Sequence, residues 1–329
     1  MAEDQHEFRP TATWEHLEQR AKLLKDLRRF FDRHGFLEVE TPLLSHDSVV
    51  DRHLDPFSVR VFDDPRTPHR GRLMWLQTSP EFGMKRLLAA GGKAIYQITR
   101  AFRAGEKGPL HNPEFTIVEW YRVGDTMRAG MEFLDQLTQA MLGRGRAQRL
   151  SYAEAFQRSV GIDPHGCSVQ HLKQRACQLG FTLPASWDDN DRDAWLDWLL
   201  VSHVEPTLGV DTPVILFDYP ASQAALAQVR SQPAPVAERF ELYVDGVELA
   251  NGYHELLDPR ILVDRARRAN REREEDGKYP VPEKNRLLAA MHKGLPPCAG
   301  VALGFDRLVM VAVGAATLSE VMAFPIDRA

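Results

Sequence analysis

The stretch Ala299-Gly-Val-Ala-Leu-Gly-Phe-Asp-Arg-Leu308, near the C-terminus, decides the fold of this chain. Its apolar first half predicts a short strand over 301–303, and its second half predicts a helix that begins at Phe305. Arg307 then lies in the first helical turn, where backbone N–H groups favour anions, and Gly304 allows a ligand to approach the backbone closely. Arg307 alone would be interpreted as an ordinary surface arginine, so the prediction depends on other segments.

Three further segments supply matching chemistry. Phe102-Arg103 ends a predicted strand, His111-Asn-Pro-Glu-Phe115 precedes the next one, and Glu248-Leu-Ala-Asn-Gly-Tyr-His-Glu255 follows later. Arginine binds phosphate with a planar fork that stays ionised, and carboxylates bind metal and ammonium groups. These parts would hold ATP beside a cationic amino acid, as formation of an aminoacyl-adenylate requires. No Gly-x-x-x-x-Gly-Lys-Ser/Thr or Gly-x-Gly-x-x-Gly sequence occurs, so the common parallel-sheet nucleotide folds are not expected.

Hydrophobic periodicity predicts the order of the helices and strands. We expect helices at 13–34, 79–88, 127–142 and 258–276, strands at 36–40, 94–102, 115–121 and 214–217, and a hairpin at 240–249. Long strands and hairpins between irregular helices predict an α+β domain built around a mainly antiparallel sheet.

Composition limits the functional classes. Of the 329 residues, 43% are hydrophobic and 26% are charged, and the net charge is −5. That acidity argues against an extensive, salt-dependent grip on nucleic acid. The N-terminal residues lack a signal-peptide pattern, and no apolar run approaches the ~18 residues of a membrane span. Three cysteines without a Cys-x-x-Cys pair are typical of a reducing cytosol, so we expect a cytoplasmic location and no membrane association.

Two glutamates of the predicted hairpin are placed by its geometry. A two-residue turn at Asp245-Gly246 sets Tyr243 opposite Glu248 and leaves Glu241 two residues back on the same face. Carboxylates this close repel each other unless they share a cation, and hard oxygen ligands beside a triphosphate indicate Mg²⁺. Two solvated glutamates on an exposed face explain the pattern equally well, so both interpretations stay open at this point.

Three other glutamates, Glu81, Glu119 and Glu255, fall among apolar or aromatic neighbours. A buried carboxylate needs a cation to offset its desolvation, and a substrate with two ammonium groups would supply one. Internal salt bridges to Lys or Arg are the alternative. Phe115 is suited to stack on a base, although a single Phe in a strand is more often part of the core. No zinc site is expected, because no structural-zinc spacing is matched by His165, Cys167, His171 and Cys177.

Together these motifs resemble a known family. Gly35-Phe-Leu-Glu-Val-Glu-Thr-Pro-Leu43 is similar to motif 1 of the class II aminoacyl-tRNA synthetases, Arg103 through Glu119 to motif 2, and Gly300 through Arg307 to motif 3. The version is lysyl, because Asn112-Pro-Glu-Phe-Thr116 and Glu248-Leu-Ala-Asn-Gly252 resemble the lysyl-tRNA synthetase signatures. The resemblance covers most of residues 13–329 and leaves no room for the N-terminal anticodon-binding barrel of that family.

A freestanding lysyl-type domain of this length resembles the elongation factor P lysyltransferases, which attach (R)-β-lysine to a lysine of that factor. The resemblance implies an ATP-dependent ligase with (R)-β-lysine or lysine as substrate and Mg²⁺ held by Glu241 and Glu248. Motif 1 implies a homodimer, and elongation factor P is the expected protein partner, with no stable binding of tRNA. We expect 1–329 to form a single catalytic domain with a helical insertion at about 143–210 and no anticodon-binding domain.

The resemblance also implies roles on the ATP side. Arg103 would hold the α-phosphate, and His111 and Arg307 the far phosphates, so the two arginines are the expected catalytic residues. Phe115 would stack on the adenine. The other ATP-binding residues implied in this way are Gly105, Glu106, Asn112, Glu248, Leu249 and Gly304.

On the amino-acid side, Glu81 would take the backbone-side amine, with Ser79 beside it, and Asn251 would hold the carboxylate. Glu119, Tyr121 and Glu255 would surround the ε-ammonium. The remaining residues implied for this pocket are Pro80 and Ala302.

Two positions depart from the family pattern. Arg103-Ala-Gly-Glu106 places Gly105 where a glutamate that reads the adenine amine is expected, and whether Glu106 replaces it is open. Lysyl-tRNA synthetases usually carry Gly where Ala302 stands. One methyl group in a pocket wall changes substrate choice by roughly 1–3 kcal/mol, which is enough to favour a β-amino acid over the α form.

Three alternative functions remain. A minimal enzyme that charges tRNA is disfavoured by the acidic net charge and by the missing anticodon domain. A non-catalytic regulatory paralogue would be expected to lose the phosphate-binding arginines or metal carboxylates, all of which are present. A paralogue that resembles asparagine synthetase is disfavoured by the glutamates that would face a distal ammonium group.

Overall fold

The computed structural model describes residues 8–182, 188–232 and 234–329. Its α-helices, in chain order, are α1 (Trp14–Arg33), α2 (Glu81–Ala89), α3 (Met127–Leu142), α4 (Tyr152–Val160), α5 (Val169–Gln178), α6 (Arg192–Leu199), α7 (Pro259–Glu275), α8 (Arg286–Gly294) and α9 (Phe305–Val313). Its β-strands are β1 (Leu37–Glu38), β2 (Leu44–Ser45), β3 (Ser58–Val61), β4 (Arg72–Leu76), β5 (Ala94–Phe102), β6 (Glu114–Val123), β7 (Gln148–Ser151), β8 (Val214–Pro220), β9 (Val229–Arg230), β10 (Val236–Val244), β11 (Val247–His254) and β12 (Cys298–Gly304).

Several elements coincide with their predictions. α1 starts after Thr13, whose hydroxyl accepts a hydrogen bond from the backbone N–H of His16, and it ends before Gly35, which has a left-handed φ of +73°. β5 and α3 have the bounds predicted for them. The strand predicted at 36–40 is shorter, because only Leu37–Glu38 pairs with β5.

The chain divides into two compact units, one formed by Met1–Thr126 with Leu256–Ala329 and the other by Met127–Glu255. The insertion predicted at about 143–210 lies inside the second unit, which also contains β8 to β11. The helices of the insertion share one buried core with β8 and β10, since Trp195 of α6 belongs to the same cluster as Leu216 of β8 and Tyr243 of β10. The shared core makes this unit larger than the predicted insertion, and the single-domain organisation of 1–329 stays a prediction.

In the first unit, the strands follow the order β1-β5-β6-β12, and a separate small sheet has the order β2-β4-β3. β1 pairs with β5 in parallel, whereas β5 with β6 and β6 with β12 are antiparallel. The register places Gln97 of β5 and Ala302 of β12 directly opposite Glu119 of β6. These three side chains therefore share one face of the sheet.

α1 covers the core of the first unit and is fixed to it at two points. Phe31, which is fully buried, stacks on Tyr96 of β5 with the ring centroids 4.2 Å apart. Arg20 Nη1 lies 2.6 Å from Asp306 Oδ1, and Arg20 Nη2 donates to the hydroxyl of Thr116 at 2.9 Å. Asp306 also accepts from the backbone N–H of Thr116 at 2.7 Å. These contacts hold α1, β6 and the start of α9 together, one residue before Arg307.

In the second unit, the strands follow the order β11-β10-β8-β7, and β9 pairs with β10. β10 and β11 form the predicted hairpin: Asp245 and Gly246 have φ values of 52° and 74°, as a type I′ turn requires, and Tyr243 pairs with Glu248. An irregularity between Leu242 and Tyr243 changes the register, so that Glu241 lies opposite Asn251.

Antiparallel pairing dominates in each unit, and helices pack on the strands, as α9 does on β6 and α4 on β8. The predicted class, an α+β fold with a mainly antiparallel sheet flanked by helices, is confirmed. Within the ranges that the structure describes, no helix has both the length and the apolar character needed to cross a lipid bilayer.

Candidate active site

The predicted site residues are divided between the two units. The first unit holds Ser79, Pro80, Glu81, Arg103, Gly105, Glu106, His111, Asn112, Phe115, Glu119, Tyr121, Ala302, Gly304 and Arg307. The second unit holds Glu241, Glu248, Leu249, Asn251 and Glu255.

Four residues predicted for the amino-acid pocket lie together in the first unit. Glu119 and Tyr121 are two residues apart on β6 and therefore point to the same face, where the Tyr121 hydroxyl donates to Glu119 Oε1 at 2.6 Å. The Ser79 hydroxyl donates to Glu119 Oε2 at 2.9 Å. Ala302, predicted as part of the pocket wall, is the cross-strand neighbour of Glu119. The structure therefore places a buried carboxylate, two hydroxyls and one methyl group on a single face.

Glu81 forms an ion pair with a lysine of the protein itself, Lys85, which was not predicted from the sequence. Glu81 lies in the first turn of α2 and is buried, and its Oε1 accepts from Nζ of Lys85 at 2.5 Å. Lys85 is only 2% exposed. The internal salt bridge considered as an alternative for these glutamates is therefore present at Glu81. The signal was available, because residues four apart face each other on a helix.

Pro80 contributes to the backbone of this cluster. It is the N-cap residue of α2, and its carbonyl accepts a hydrogen bond from the N–H of Met84 at 3.0 Å. Ser79 Oγ also accepts from the N–H of Glu81 at 3.0 Å. Ser79 therefore holds the first turn of α2 and the carboxylate of Glu119 at the same time.

The charge state of Glu119 is set by its surroundings. Burial, together with the negative charge of Glu81, raises the pKa of Glu119 to about 8. The hydroxyls of Tyr121 and Ser79 and the ammonium of Lys85 oppose this rise in pKa. Glu119 is therefore largely protonated near pH 7 in the free protein, and a cation placed beside it would favour the ionised form.

The residues predicted for phosphate and adenine form a second cluster in the first unit. The guanidinium carbon of Arg103 lies 5.0 Å from the centre of the Phe115 ring. Arg103 Nε donates to the carbonyl of Thr78 at 3.3 Å, and its Nη1 is 3.7 Å from Glu106 Oε2. Arg103, Glu106 and Phe115 are thus neighbours, with the charge of Glu106 directed at the arginine.

Arg307 completes this cluster together with His111. Its Nη2 donates to His111 Nε2 at 2.8 Å, and its Nε donates to the carbonyl of Leu110 at 3.2 Å. Burial and the charges of Arg307 and Arg103 lower the pKa of His111, although Glu106 opposes them. His111 is therefore neutral at physiological pH, and the positive charge of the cluster comes from the two arginines.

Other residues predicted for ATP shape the backbone around this cluster. Asn112 Nδ2 donates to the carbonyl of Glu114 at 2.6 Å, and its Oδ1 accepts from the N–H of Ile326 at 2.9 Å, so both ends of its amide bind protein. Gly105 has a φ of +80°, a left-handed conformation that favours glycine over the glutamate expected there. Gly304 is the N-cap residue of α9 and leads directly to the turn that carries Arg307.

In the second unit, Glu241 is held by one cation and two hydroxyls. Arg239 Nη2 donates to Glu241 Oε1 at 2.5 Å. The Tyr243 hydroxyl donates to Oε2 at 2.6 Å, and the Tyr219 hydroxyl donates to the same oxygen. Arg239 was missed from the sequence, although its place two residues before Glu241 on one strand face was a usable signal. One of the two interpretations of the sequence has a cation offset the charge of Glu241, and Arg239 supplies a positive charge at this place.

Glu241 and Glu248 nevertheless fit a magnesium ion. Both lie on the face of the hairpin that carries Tyr243, and a carboxylate oxygen such as Glu241 Oε1 can accept a second bond beside that of Arg239. Oxygen ligands of this kind suit Mg²⁺, which usually completes its shell with water and substrate phosphate. Within the described ranges, no group of three or more His, Cys, Asp or Glu side chains could hold a metal ion by itself.

The remaining predicted residues of the second unit are buried or partly buried on β11 and just after it. Oδ1 of Asn251 is buried without a hydrogen-bond partner in the described part of the chain, and a bound polar group would satisfy it. Leu249 is 2% exposed and Glu255 is 1% exposed. Glu255 also forms a backbone bridge with Ala227.

Comparisons with known proteins agree with this geometry. Residues 5–328 match the model of the family described as tRNA synthetases class II (D, K and N). A Vibrio cholerae protein named elongation factor P--(R)-beta-lysine ligase is 46% identical to this chain, over 98% of the chain and 99% of the relative. Relatives of the same name from Vibrio vulnificus and Salmonella arizonae are 46% and 45% identical, over 99% and 98% of this chain and 100% and 98% of theirs.

Proposed function

Because the chain belongs to the class II tRNA synthetase family of the aspartyl, lysyl and asparaginyl type, we propose that it is a protein-modifying ligase. It activates (R)-β-lysine with ATP and transfers it to the ε-amino group of a lysine on elongation factor P. The observation that carries the proposal is the identity of 45–46% over nearly full length to relatives named for this reaction. The buried Glu119, with its hydroxyl donors and raised pKa, supports the proposal that the substrate is an amino acid with a positively charged side chain.

The first step forms the aminoacyl-adenylate. The carboxylate of the amino acid attacks the α-phosphorus of ATP, a bond to the α-phosphate forms, and pyrophosphate leaves. Negative charge builds up on the phosphate oxygens, and fixed positive groups stabilise it without having to reorganise. Arg103 and Arg307 are suited to this role because their partners hold them in place: Thr78 and Phe115 for the first, His111 and Leu110 for the second.

Mg²⁺ bound by Glu241 and Glu248 would supply further neutralisation of the triphosphate. Arg239 and the two tyrosines hold the carboxylate of Glu241 in one orientation, which limits its loss of freedom when a ligand binds. The role of the protein at this point is therefore to present prearranged oxygens.

The second step transfers the amino acid. The ε-amine of the acceptor lysine attacks the carbonyl carbon of the adenylate, an amide bond forms and AMP leaves. No covalent intermediate with the enzyme is needed, so catalysis consists mainly of positioning and electrostatic stabilisation. In the pocket, Glu119 would hold an ammonium group of the substrate, and Ala302 opposite it would limit the space available.

The proposal includes the setting of the enzyme. We propose a homodimer formed through motif 1, a cytoplasmic location, and elongation factor P instead of tRNA as the acceptor. The chain has three cysteines, Cys167, Cys177 and Cys298, and no Cys-x-x-Cys pair, which is typical of a reducing compartment.

The amino-acid substrate is tested by exchange of labelled pyrophosphate into ATP, with (R)-β-lysine, L-lysine, L-aspartate and L-asparagine supplied separately. We expect the highest kcat/KM for (R)-β-lysine. Arg103→Ala should lower exchange by about 10²–10³-fold, as loss of one electrostatic stabiliser does, whereas the exposed Arg33→Ala should leave it unchanged. Exchange that depends on aspartate or asparagine, or none with either lysine, would contradict the proposal.

A further inference from the structure

A buried lysine, Lys85, lies in the amino-acid cluster, and the mechanism above gives it no role. Its side chain is 3% exposed, and its ammonium group donates to Glu81 Oε1 at 2.5 Å. The same group lies 5.9 Å from the centre of the Tyr121 ring. Burying a lysine is costly unless its charge is paired, so its place beside two carboxylates needs an explanation.

The two carboxylates of the cluster have different partners. Glu81 is paired with the ammonium of Lys85, one helical turn along α2. Glu119 accepts hydrogen bonds from the hydroxyls of Ser79 and Tyr121, and both of these donors are neutral. Of these two carboxylates, Glu119 is thus the one to which the described residues bond no cation.

We propose that Lys85 is a positioning residue of the amino-acid site: it holds and neutralises Glu81, so that Glu119 is left as the carboxylate that receives an ammonium group of the substrate. This inference rests on the proposed function, because it assumes a cationic amino acid in the pocket. It adds a residue that tunes the charge of the pocket without forming a bond to the substrate.

The charges of the cluster support this division of roles. With both carboxylates ionised and Lys85 protonated, the net charge is one negative charge, which matches one ammonium group. Without Lys85, two adjacent carboxylates would both be unneutralised in a buried site, and one of them would take up a proton instead. Lys85 therefore makes it possible for Glu119 to ionise when the substrate arrives.

Besides the Ser79 hydroxyl and the methyl group of Ala302 on β12, the groups that face Glu119 come from α2, β5 and β6. α2 contributes Glu81 and Lys85, β6 contributes Tyr121, and Gln97 of β5 lies directly opposite and carries no charge. Since the charge of Glu81 raises the pKa of Glu119 and that of Lys85 lowers it, loss of Lys85 alone should raise this pKa further. Loss of the charges of both Lys85 and Glu81 should lower the pKa of Glu119 again, relative to loss of Lys85 alone.

The test measures KM for (R)-β-lysine and for ATP in pyrophosphate exchange between pH 6 and pH 9.5. In the wild type, KM for the amino acid should fall as the pH rises through the pKa of Glu119, because the ionised carboxylate binds the ammonium group. Lys85→Met should move this fall to higher pH by about one unit or more, as expected for loss of a neighbouring opposite charge. It should raise KM for the amino acid about tenfold at pH 7 and change KM for ATP less than twofold.

Two further variants separate this role from a structural one. Lys85→Arg keeps the charge and should restore most of the wild-type pH profile. In the double variant Lys85→Met with Glu81→Gln, the midpoint of the fall in KM for (R)-β-lysine should lie at lower pH than in Lys85→Met alone, although one carboxylate is lost. The matched control is Lys22→Met, which removes an exposed lysine that also pairs at four-residue spacing, with Asp26, and should change nothing.

The outcomes distinguish this inference from the proposed function. If Lys85→Met lowers kcat or thermal stability while the midpoint for the amino acid stays at the wild-type pH, Lys85 is only structural and the inference is wrong. Failure of the wild type to exchange pyrophosphate with either lysine would instead overturn the proposed function.

Discussion

At Glu119, the protein buries a carboxyl group between two hydroxyls and raises its pKa to about 8. A carboxyl whose pKa is higher in the folded than in the unfolded chain binds more protons when folded, so stability falls as the pH rises from about 4.5 towards 8. Glu119→Gln removes this penalty. We therefore expect the Tm of the variant, relative to wild type, to increase between pH 5 and pH 9, as followed by thermal unfolding.

The same substitution should weaken the amino-acid site. Hydrogen bonds to charged groups contribute about 1.5–3 kcal/mol, so KM for (R)-β-lysine should rise roughly 10- to 100-fold. The matched control is Glu114→Gln on the same strand, which alters a half-exposed carboxylate and should leave both Tm and KM near wild type. A Glu119→Gln enzyme with unchanged KM would show that Glu119 does not bind the substrate.

Ala302 lies directly opposite Glu119, so its methyl group limits the space beside that carboxylate. Ala302→Gly should raise the kcat/KM for L-lysine relative to (R)-β-lysine by about tenfold or more, since one methyl group corresponds to roughly 1–3 kcal/mol. Competition between the two isomers in pyrophosphate exchange measures this ratio. Ala299→Gly on the same strand is the control, and an unchanged ratio in Ala302→Gly would exclude Ala302 as the determinant.

At this scale the sequence identified the carboxylates but not their internal partners. Lys85 and Arg239 were missed, even though each is at a spacing that places it beside its glutamate. Spacing along one helix or strand shows which side chains are near each other, but burial decides whether they form an ion pair. Asn112 was assigned to ATP by resemblance, and the structure uses both ends of its amide to hold the loop and the C-terminal segment.

At the scale of elements, α1 is fixed to α9 by the partly buried Arg20 and the buried Asp306, whose atoms approach to 2.6 Å. Breaking a buried ion pair leaves an uncompensated charge, so Arg20→Met should lower the free energy of unfolding by about 3–5 kcal/mol in urea titrations. Arg28→Met, which removes the exposed pair with Glu38, should cost less than about 1 kcal/mol. Equal decreases in the free energy of unfolding of the two variants would show that the pair of Arg20 and Asp306 stabilises the fold no more than the exposed pair does.

The bounds of β5 and α3 and the turn of the hairpin followed from hydrophobic period and turn residues, whereas the hairpin strands extend beyond the predicted range of 240–249 at both ends. The bulge that sets Glu241 opposite Asn251 could not be predicted, because the alternation of side chains does not show where a strand carries an extra residue. β1 is shorter than its predicted strand for a related reason: pairing with β5 sets its length, and after Glu38 only one further backbone hydrogen bond to β5 is made among the described residues, from the N–H of Val39 to the carbonyl of Tyr96.

At the scale of the whole molecule, the apolar pattern predicted an α+β class, but it did not predict how the chain divides. The region at 143–210 was expected to be an insertion, yet its helices share a core with β8 and β10. Core membership depends on contacts between distant residues, such as Trp195 with the strands, and no local pattern carries that information. Family membership was recognisable because its motifs combine rare residue types in a set order.

The central claim, that this enzyme modifies a protein and not a tRNA, is tested most directly by single-turnover transfer. Adenylate preformed with labelled (R)-β-lysine is offered to elongation factor P in one tube and to bulk tRNA in another. We predict label on the protein alone, and its loss when the acceptor lysine of the factor is replaced by arginine. Label on tRNA alone would contradict the claim and would identify the chain as an enzyme that charges tRNA.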